Sequence, residues 1–305
     1  MTIAFLFPGQ GSQYPEMLDK LPPSSIIDSL FDEASKFLHR NVRDLDSEQE
    51  LQSTVSVQIV LFVAAAASAQ ALRAEGVEPY AVAGLSVGAY AAAVSCGCIS
   101  FLDGLAMVKK RAELMYASYP KGYGMTVIVG LTEQKVEALV SKCYSDHDPV
   151  FVSNINAPLQ ITVSGSVSGL TRIEDVALEH GARKVERLNV TVPSHCRLYQ
   201  EVSQQLQAEF ASIKLSRPNS VYVSNVAARS LRNAEAVISD LANNISHGVR
   251  WNDSMNLLTE LGTETFVEMS PGNVLTRLVC ELYPHLRAVA LDQSSITYVK
   301  KLLGT

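Results

Sequence analysis

Gly84-Leu85-Ser86-Val87-Gly88 is the stretch of this chain best suited to chemistry. It lies between the apolar run Tyr80–Ala83 and the alanine-rich Ala89–Val94, so it reads as a nucleophile elbow, a strand turning sharply into a helix. The glycines leave room for the two backbones to meet. Ser86 would stand at the carboxyl end of the strand, and the amide of Val87 would supply half of an oxyanion hole. A second loop of exposed amides, Pro8-Gly9-Gln10-Gly11-Ser12-Gln13, follows the apolar run Ile3–Phe7. It has neither the Gly-Lys-Ser/Thr of a phosphate-binding loop nor the spacing of a dinucleotide fingerprint.

A serine hydroxyl needs a base to accept its proton. Of the 6 histidines, His39, His147 and His180 lie beside charged residues and His285 in a proline-flanked loop, which leaves His195, after Pro193, and His247. His195 is the better candidate, because it stands where the chain returns to the large domain, and His247 is its competitor. The long stretch of chain after His195 departs from the usual hydrolase order, nucleophile, acid and then a late histidine. Cys196 reads as a small buried thiol. Arg111 belongs to the run Lys109-Lys110-Arg111 on a helix, among apolar residues 107, 108, 112, 114 and 115. One of three adjacent residues on a helix must face the core side.

These groups need a scaffold. Apolar periodicity predicts helices over residues 24–38, 55–75 and 101–116 around the elbow. From Gly124 to Val192 the order is strand (125–131), helix (132–143), strand (150–156), strand (160–164), helix (170–180) and strand (182–192). That β-α-β-β-α-β order is ferredoxin-like. Beyond Pro193 come a helix (198–211), a strand (221–225), helices (234–246 and 251–261), a strand (265–269) and a helix (274–282). The expected fold class is α/β: a large α/β-hydrolase-like domain with a mostly parallel sheet, residues 1–123 and 193–305, carrying an inserted ferredoxin-like subdomain, residues 124–192.

With 305 residues, 47% of them hydrophobic, the chain can bury a large core. The uncharged run 54–72 contains Ser56, Gln58, Ser68 and Gln70, which fits a core helix rather than a membrane span. The amino-terminal run lacks a basic leader and a cleavage site. Five cysteines without a Cys-x-x-Cys frame suggest neither disulfides nor a metal site, and a reducing cytoplasm is expected. A net charge of −6 argues against nucleic acid.

Several segments together resemble malonyl-CoA:acyl carrier protein transacylases along nearly the whole chain. They are Phe7-Pro8-Gly9-Gln10-Gly11-Ser12-Gln13, the Ser86 elbow, Lys109-Lys110-Arg111 with Met115, Asn154-x-Asn156-x-Pro158-x-Gln160, Val192-Pro193-Ser194-His195-Cys196 and Pro271-Gly272-x-Val274-Leu275-Thr276. The resemblance implies Ser86 as the acylated nucleophile, His195 as base and the amides of Gln10 and Val87 as the oxyanion hole. It implies Arg111 as partner of the malonyl carboxylate, with Leu85, Met115 and Asn156 also at the substrate. A main-chain carbonyl steadies the histidine in this family and falls on Asn244, where a glutamine is usual. No bound cofactor is implied: malonyl-CoA is a substrate, and the acceptor is an acyl carrier protein bearing a CoA-like thiol. Arg183, Lys184, Arg187 and Arg197 flank the His195 segment and are the expected basic patch for an acidic carrier.

The usual elbow has a histidine before the serine and a glutamate three residues after it, where this chain has Leu85 and Ala89. With Ser53-Thr54-Val55-Ser56-Val57-Gln58, Tyr119-Pro120-x-Gly122-Tyr123-Gly124-Met125 and Asp240-Leu241-Ala242-Asn243-Asn244, that variant looks like the transacylase subunit of bacterial malonate decarboxylase. The other subunits of that complex are then expected partners. The competing readings are a transacylase of fatty-acid or polyketide synthesis, a serine thioesterase or hydrolase, and a docking subunit with a decayed site.

Overall fold

In the computed structural model, which describes residues 2–304, the apolar run Ile3–Phe7 becomes β1, buried along its whole length. Its two faces serve two cores: Ile3, Phe5 and Phe7 pack on one side of the sheet, Ala4 and Leu6 on the other. A strand covered on both faces reads as a continuous apolar run rather than an alternating one. The remaining strands are β2 (Ala81–Gly84), β3 (Tyr123–Val129), β4 (Val150–Ala157), β5 (Gln160–Ser166), β6 (Lys184–Arg187), β7 (Val221–Val223), β8 (Ser230–Leu231), β9 (Thr265–Glu268) and β10 (Arg287–Ala290). The larger sheet has the order β10-β9-β1-β2-β7-β8. It is parallel from β10 to β7, and only β8 pairs antiparallel.

Helices α1 (Ser25–Leu38), α2 (Thr54–Ala74), α3 (Gly88–Ser95) and α4 (Phe101–Ser118) lie on one face of this sheet with α7 (Gln200–Phe210) and α8 (Ala234–Asn243). On the opposite face are α9 (Trp251–Glu260) and α10 (Val274–Leu282), and α11 (Ile296–Leu303) ends the chain. Among the described residues α2 alone is long and apolar enough to cross a membrane, but 89% of that stretch is buried inside the protein. Its apolar surface on all sides is met by other helices and the sheet, as for a core helix.

The second sheet is antiparallel, ordered β4-β5-β3-β6, the strand arrangement of a ferredoxin-like unit. Helices α5 (Glu133–Cys143) and α6 (Val167–Glu179) cover it through their own apolar cluster. The free edge of β4 is tied to the larger unit: Ile155 N–H donates to the Val249 carbonyl at 2.9 Å and Val249 N–H to that of Ser153 at 2.8 Å. Arg250 also meets Glu133 at the start of α5, at 2.9 Å. The strand expected over 182–192 is shorter, Lys184–Arg187. Leu188 N–H still donates to the Met125 carbonyl of β3 at 2.9 Å, and Leu188 and Val190 line a cleft between the two units.

Candidate active site

The elbow is as tight as its glycines require. A Cβ on Gly84 would lie 2.2 Å from the Gly88 carbonyl carbon, and one on Gly88 2.2 Å from the Phe7 carbonyl oxygen, so neither position admits a side chain. Leu85 N–H donates to the Phe7 carbonyl at 2.9 Å, which draws the end of β2 against the end of β1. Ser86 takes φ +57°, a left-handed conformation that strains a residue with a Cβ. The turn holds its hydroxyl at the carboxyl edge of the parallel sheet.

Ser86 Oγ lies 2.7 Å from Nε2 of His195. The other ring nitrogen, Nδ1, is 2.5 Å from the Asn244 carbonyl oxygen. A carbonyl only accepts, so Nδ1 carries the proton and Nε2 presents its lone pair to the serine hydroxyl. His195 is 2% exposed. The other candidate, His247, is exposed and its ring meets Ser246 and the Asn243 carbonyl instead.

Arg111 is fully buried at 0% exposure. One terminal nitrogen donates to Ser86 Oγ at 3.2 Å and the other to Oε1 of Gln58, while its Nε has no hydrogen-bond partner. No carboxylate among the described residues forms an ion pair with it. Gln58, a buried polar residue of α2, in turn donates to Met115 Sδ at 3.3 Å. Met115 therefore reaches the site through Gln58 rather than by lining the cleft.

The cleft is walled by Gly9, Gln10, Leu85, Met125, Asn154 and Ser194, with Ser86 and His195 at its floor. The amides of Gln10 and Val87 make no hydrogen bond to another described residue and stay available to a developing oxyanion. Asn154, not Asn156, is on the wall. An irregularity in β4 between Ile155 and Ala157 leaves Asn156 donating to Thr162 Oγ1 at 3.3 Å within the hairpin. The Oδ1 of Asn154 is buried without a partner.

The acyl transferase domain family model matches residues 4–301. The chain belongs to this family. The malonyl CoA-acyl carrier protein transacylase of Bacillus subtilis (strain 168) is 31% identical over 298 residues, covering 95% of this chain and 93% of that protein. The structure of the malonyl CoA-acyl carrier protein transacylase from Coxiella burnetii superposes with a TM-score of 0.94 at 29% identity, covering 99% of this chain and 98% of that one. A malonyl-transacylase solved in complex with a type II PKS acyl-carrier protein matches with a TM-score of 0.94 at 30% identity over 100% of both chains.

The elbow of this acyl transferase is held by two residues that sequence reasoning did not single out. Asn225, just beyond β7, accepts from Ser86 N–H at 2.9 Å and donates to the Gly84 carbonyl at 2.8 Å. The backbone amides of Asn225 and Val226 donate to the Asp240 carboxylate at 3.1 and 3.2 Å. The signal was a polar pair, Ser224-Asn225, ending an apolar strand, but nothing local says what it faces. The expected basic patch is largely committed elsewhere. Arg187 pairs with Glu174 and Lys184 with Glu186, and the Arg197 guanidinium stacks on Tyr144 and Phe151 at 4.9 and 5.0 Å. Along a strand Lys184 and Arg187 also point to opposite faces.

Burial, with the Arg111 cation beside it, lowers the His195 pKa from 6.5 to about 3, against the opposing pull of the Asn244 carbonyl. Both main causes disfavour the imidazolium, so the ring remains a base well below its ordinary range. The acylation rate at low substrate is therefore expected to stay level from roughly pH 8 to pH 5. Stopped-flow release of the leaving thiol across that range checks this; a step near pH 6.5 would count against a buried, neutral His195.

Proposed function

We propose that this acyl transferase moves malonyl from malonyl-CoA to the thiol of an acyl carrier protein by way of a malonyl ester on Ser86. The observation that carries the reading is Arg111, a fully buried cation donating to the Ser86 hydroxyl with no carboxylate of its own. Such a charge is costly unless an anion joins it, and a guanidinium offers two parallel donors to a carboxylate. The names of the similar transacylases supply the same substrate.

In the proposed cycle His195 Nε2 takes the Ser86 proton as Oγ attacks the thioester carbonyl. The amides of Val87 and Gln10 receive the oxyanion, and the CoA thiolate departs with the proton from His195. The carrier thiol then gives its proton to His195 and attacks the ester, and Ser86 recovers a proton as it leaves. No cofactor is bound in this scheme. We place the reaction in the cytoplasm and take the carrier to be that of malonate decarboxylase, a choice supported by Leu85, Ala89 and the accompanying segments. Charging a carrier of fatty-acid or polyketide synthesis is the same reaction with another acceptor.

The test is mass spectrometry of the intact protein. Malonyl-CoA is expected to add one malonyl group, and a carrier thiol to remove it at least about ten times faster than water does. Removal by water at an equal rate would mark a thioesterase, and comparing carriers identifies the acceptor.

A further inference from the structure

The Ser86 N–H cannot join the sheet ladder, because β2 and β7 pair only as far as Ala83 and Val223. The Asn225 side chain continues that ladder. Its amide takes the place of a peptide group, accepting from Ser86 N–H and donating to the Gly84 carbonyl, and so spans the two ends of the strained turn. With the Ser86 N–H occupied, the next amide, that of Val87, is left for the oxyanion.

Asn225 is itself fixed from α8. Asp240 accepts from Tyr222 Oη, Ser224 Oγ and the amides of Asn225 and Val226. One turn further on, Asn244 holds His195 through its carbonyl, and its side-chain nitrogen donates to the Ser86 carbonyl at 3.3 Å. Between them, the Leu241 carbonyl accepts from Tyr90 Oη at 2.9 Å, which ties down α3. The end of α8 thus meets the Ser86–His195 pair in two ways: its cap residue Asn244 touches both partners directly, and Asp240, one turn before it, reaches Ser86 through Asn225.

We propose that Asn225 is a positioning residue for Ser86, that Asp240 sets Asn225, and that α8 is the common frame fixing the nucleophile against its base. The inference rests on Ser86 being the nucleophile. Asn225→Ala is expected to slow acylation of Ser86 by malonyl-CoA roughly 100-fold, the effect of about 1 Å of misplacement. The half-saturating malonyl-CoA concentration and the pH profile should not move, since Arg111 and His195 are untouched. Phosphonylation by a fluorophosphonate, which needs the elbow but not Arg111, should slow by the same factor. Asn225→Asp keeps an oxygen for the Ser86 N–H and loses the donor to Gly84, so a smaller loss, roughly tenfold, is expected.

Wild-type rates in folded Asn225→Ala, or a loss matching the unfolded fraction in its thermal melt, would overturn the proposal. If Asn225→Ala does not fold, Asn225→Asp decides alone, and a wild-type rate there overturns the bridge. A wild-type protein that reacts with neither reagent would instead overturn the reading of Ser86.

Discussion

Arg111→Ala is expected to lower malonyl transfer by roughly two to three orders of magnitude and to leave acetyl transfer unchanged or faster. Malonyl differs from acetyl by one carboxylate, and Arg111 is the buried cation at Ser86. Removing one partner of a buried ion pair costs about 3–5 kcal/mol because the other charge is left desolvated and alone. Acetyl never uses the pair, and the space vacated by the side chain accepts a methyl group. Arg111→Lys should recover only part of the malonyl rate, because an ammonium supplies a point charge where the guanidinium supplies a fork already oriented by Gln58. The measurement is the acylation rate with each thioester. Equal losses for both would mean that Arg111 supports the fold or binds another part of CoA.

Ser86→Ala and Ser86→Gly are expected to abolish the malonyl adduct and to reduce carrier charging by about 10⁴-fold or more, since Ser86 carries the hydroxyl that faces the His195 base, at 2.7 Å. The two variants should differ in stability. Ser86 sits at φ +57°, where alanine keeps the steric conflict of its Cβ and glycine has none. Ser86→Gly should therefore melt above Ser86→Ala, by the equivalent of about 1 kcal/mol. An adduct of wild-type size on either variant would remove Ser86 from the chemistry. A glycine variant no more stable than the alanine one would show that the turn stores no strain.

The parts of the fold visible in the sequence are those with a strong local signal. The unbroken apolar run of β1, the glycine punctuation of the elbow and the alternating elements between Tyr123 and Arg187 belong to this class. The parts not foreseen are short or at an edge. The strand β8 is two residues long, and β10 opens with an exposed arginine and offers little apolar pattern. The helix α11 did carry its signals, since Ser295 caps its start and Gly304 its end, but eight residues give the periodicity too little room to show.

The site divides in the same way. Ser86 and His195 belong to segments whose residue types announce their chemistry, and the motif that carries Arg111 does the same. Gln58, Asn225 and Asp240 act only through partners far away in the chain. A glutamine inside an apolar helix or an aspartate late in another says that a polar partner must exist, because a buried polar group is rarely left alone. Which partner it is depends on how the helices cross the sheet, and no spacing records that. The placement of Asn156 off the cleft wall has a related origin: the irregularity in β4 beside it leaves no mark in the sequence.

Gly84 and Gly88 touch backbone rather than substrate, which bears on how such a protein would lose its activity over evolutionary time. A lineage that abandoned transfer chemistry and kept the scaffold would still be unable to change either glycine, because the strand-to-helix crossing would no longer close. The serine between them would be free to drift, and replacing it with glycine would even relieve the turn. The bracketing pair is thus a fossil that outlasts the enzyme. On the proposed reading, what such a lineage would lose is the serine together with the His195 and Arg111 that meet its hydroxyl, and all three stand together in this chain.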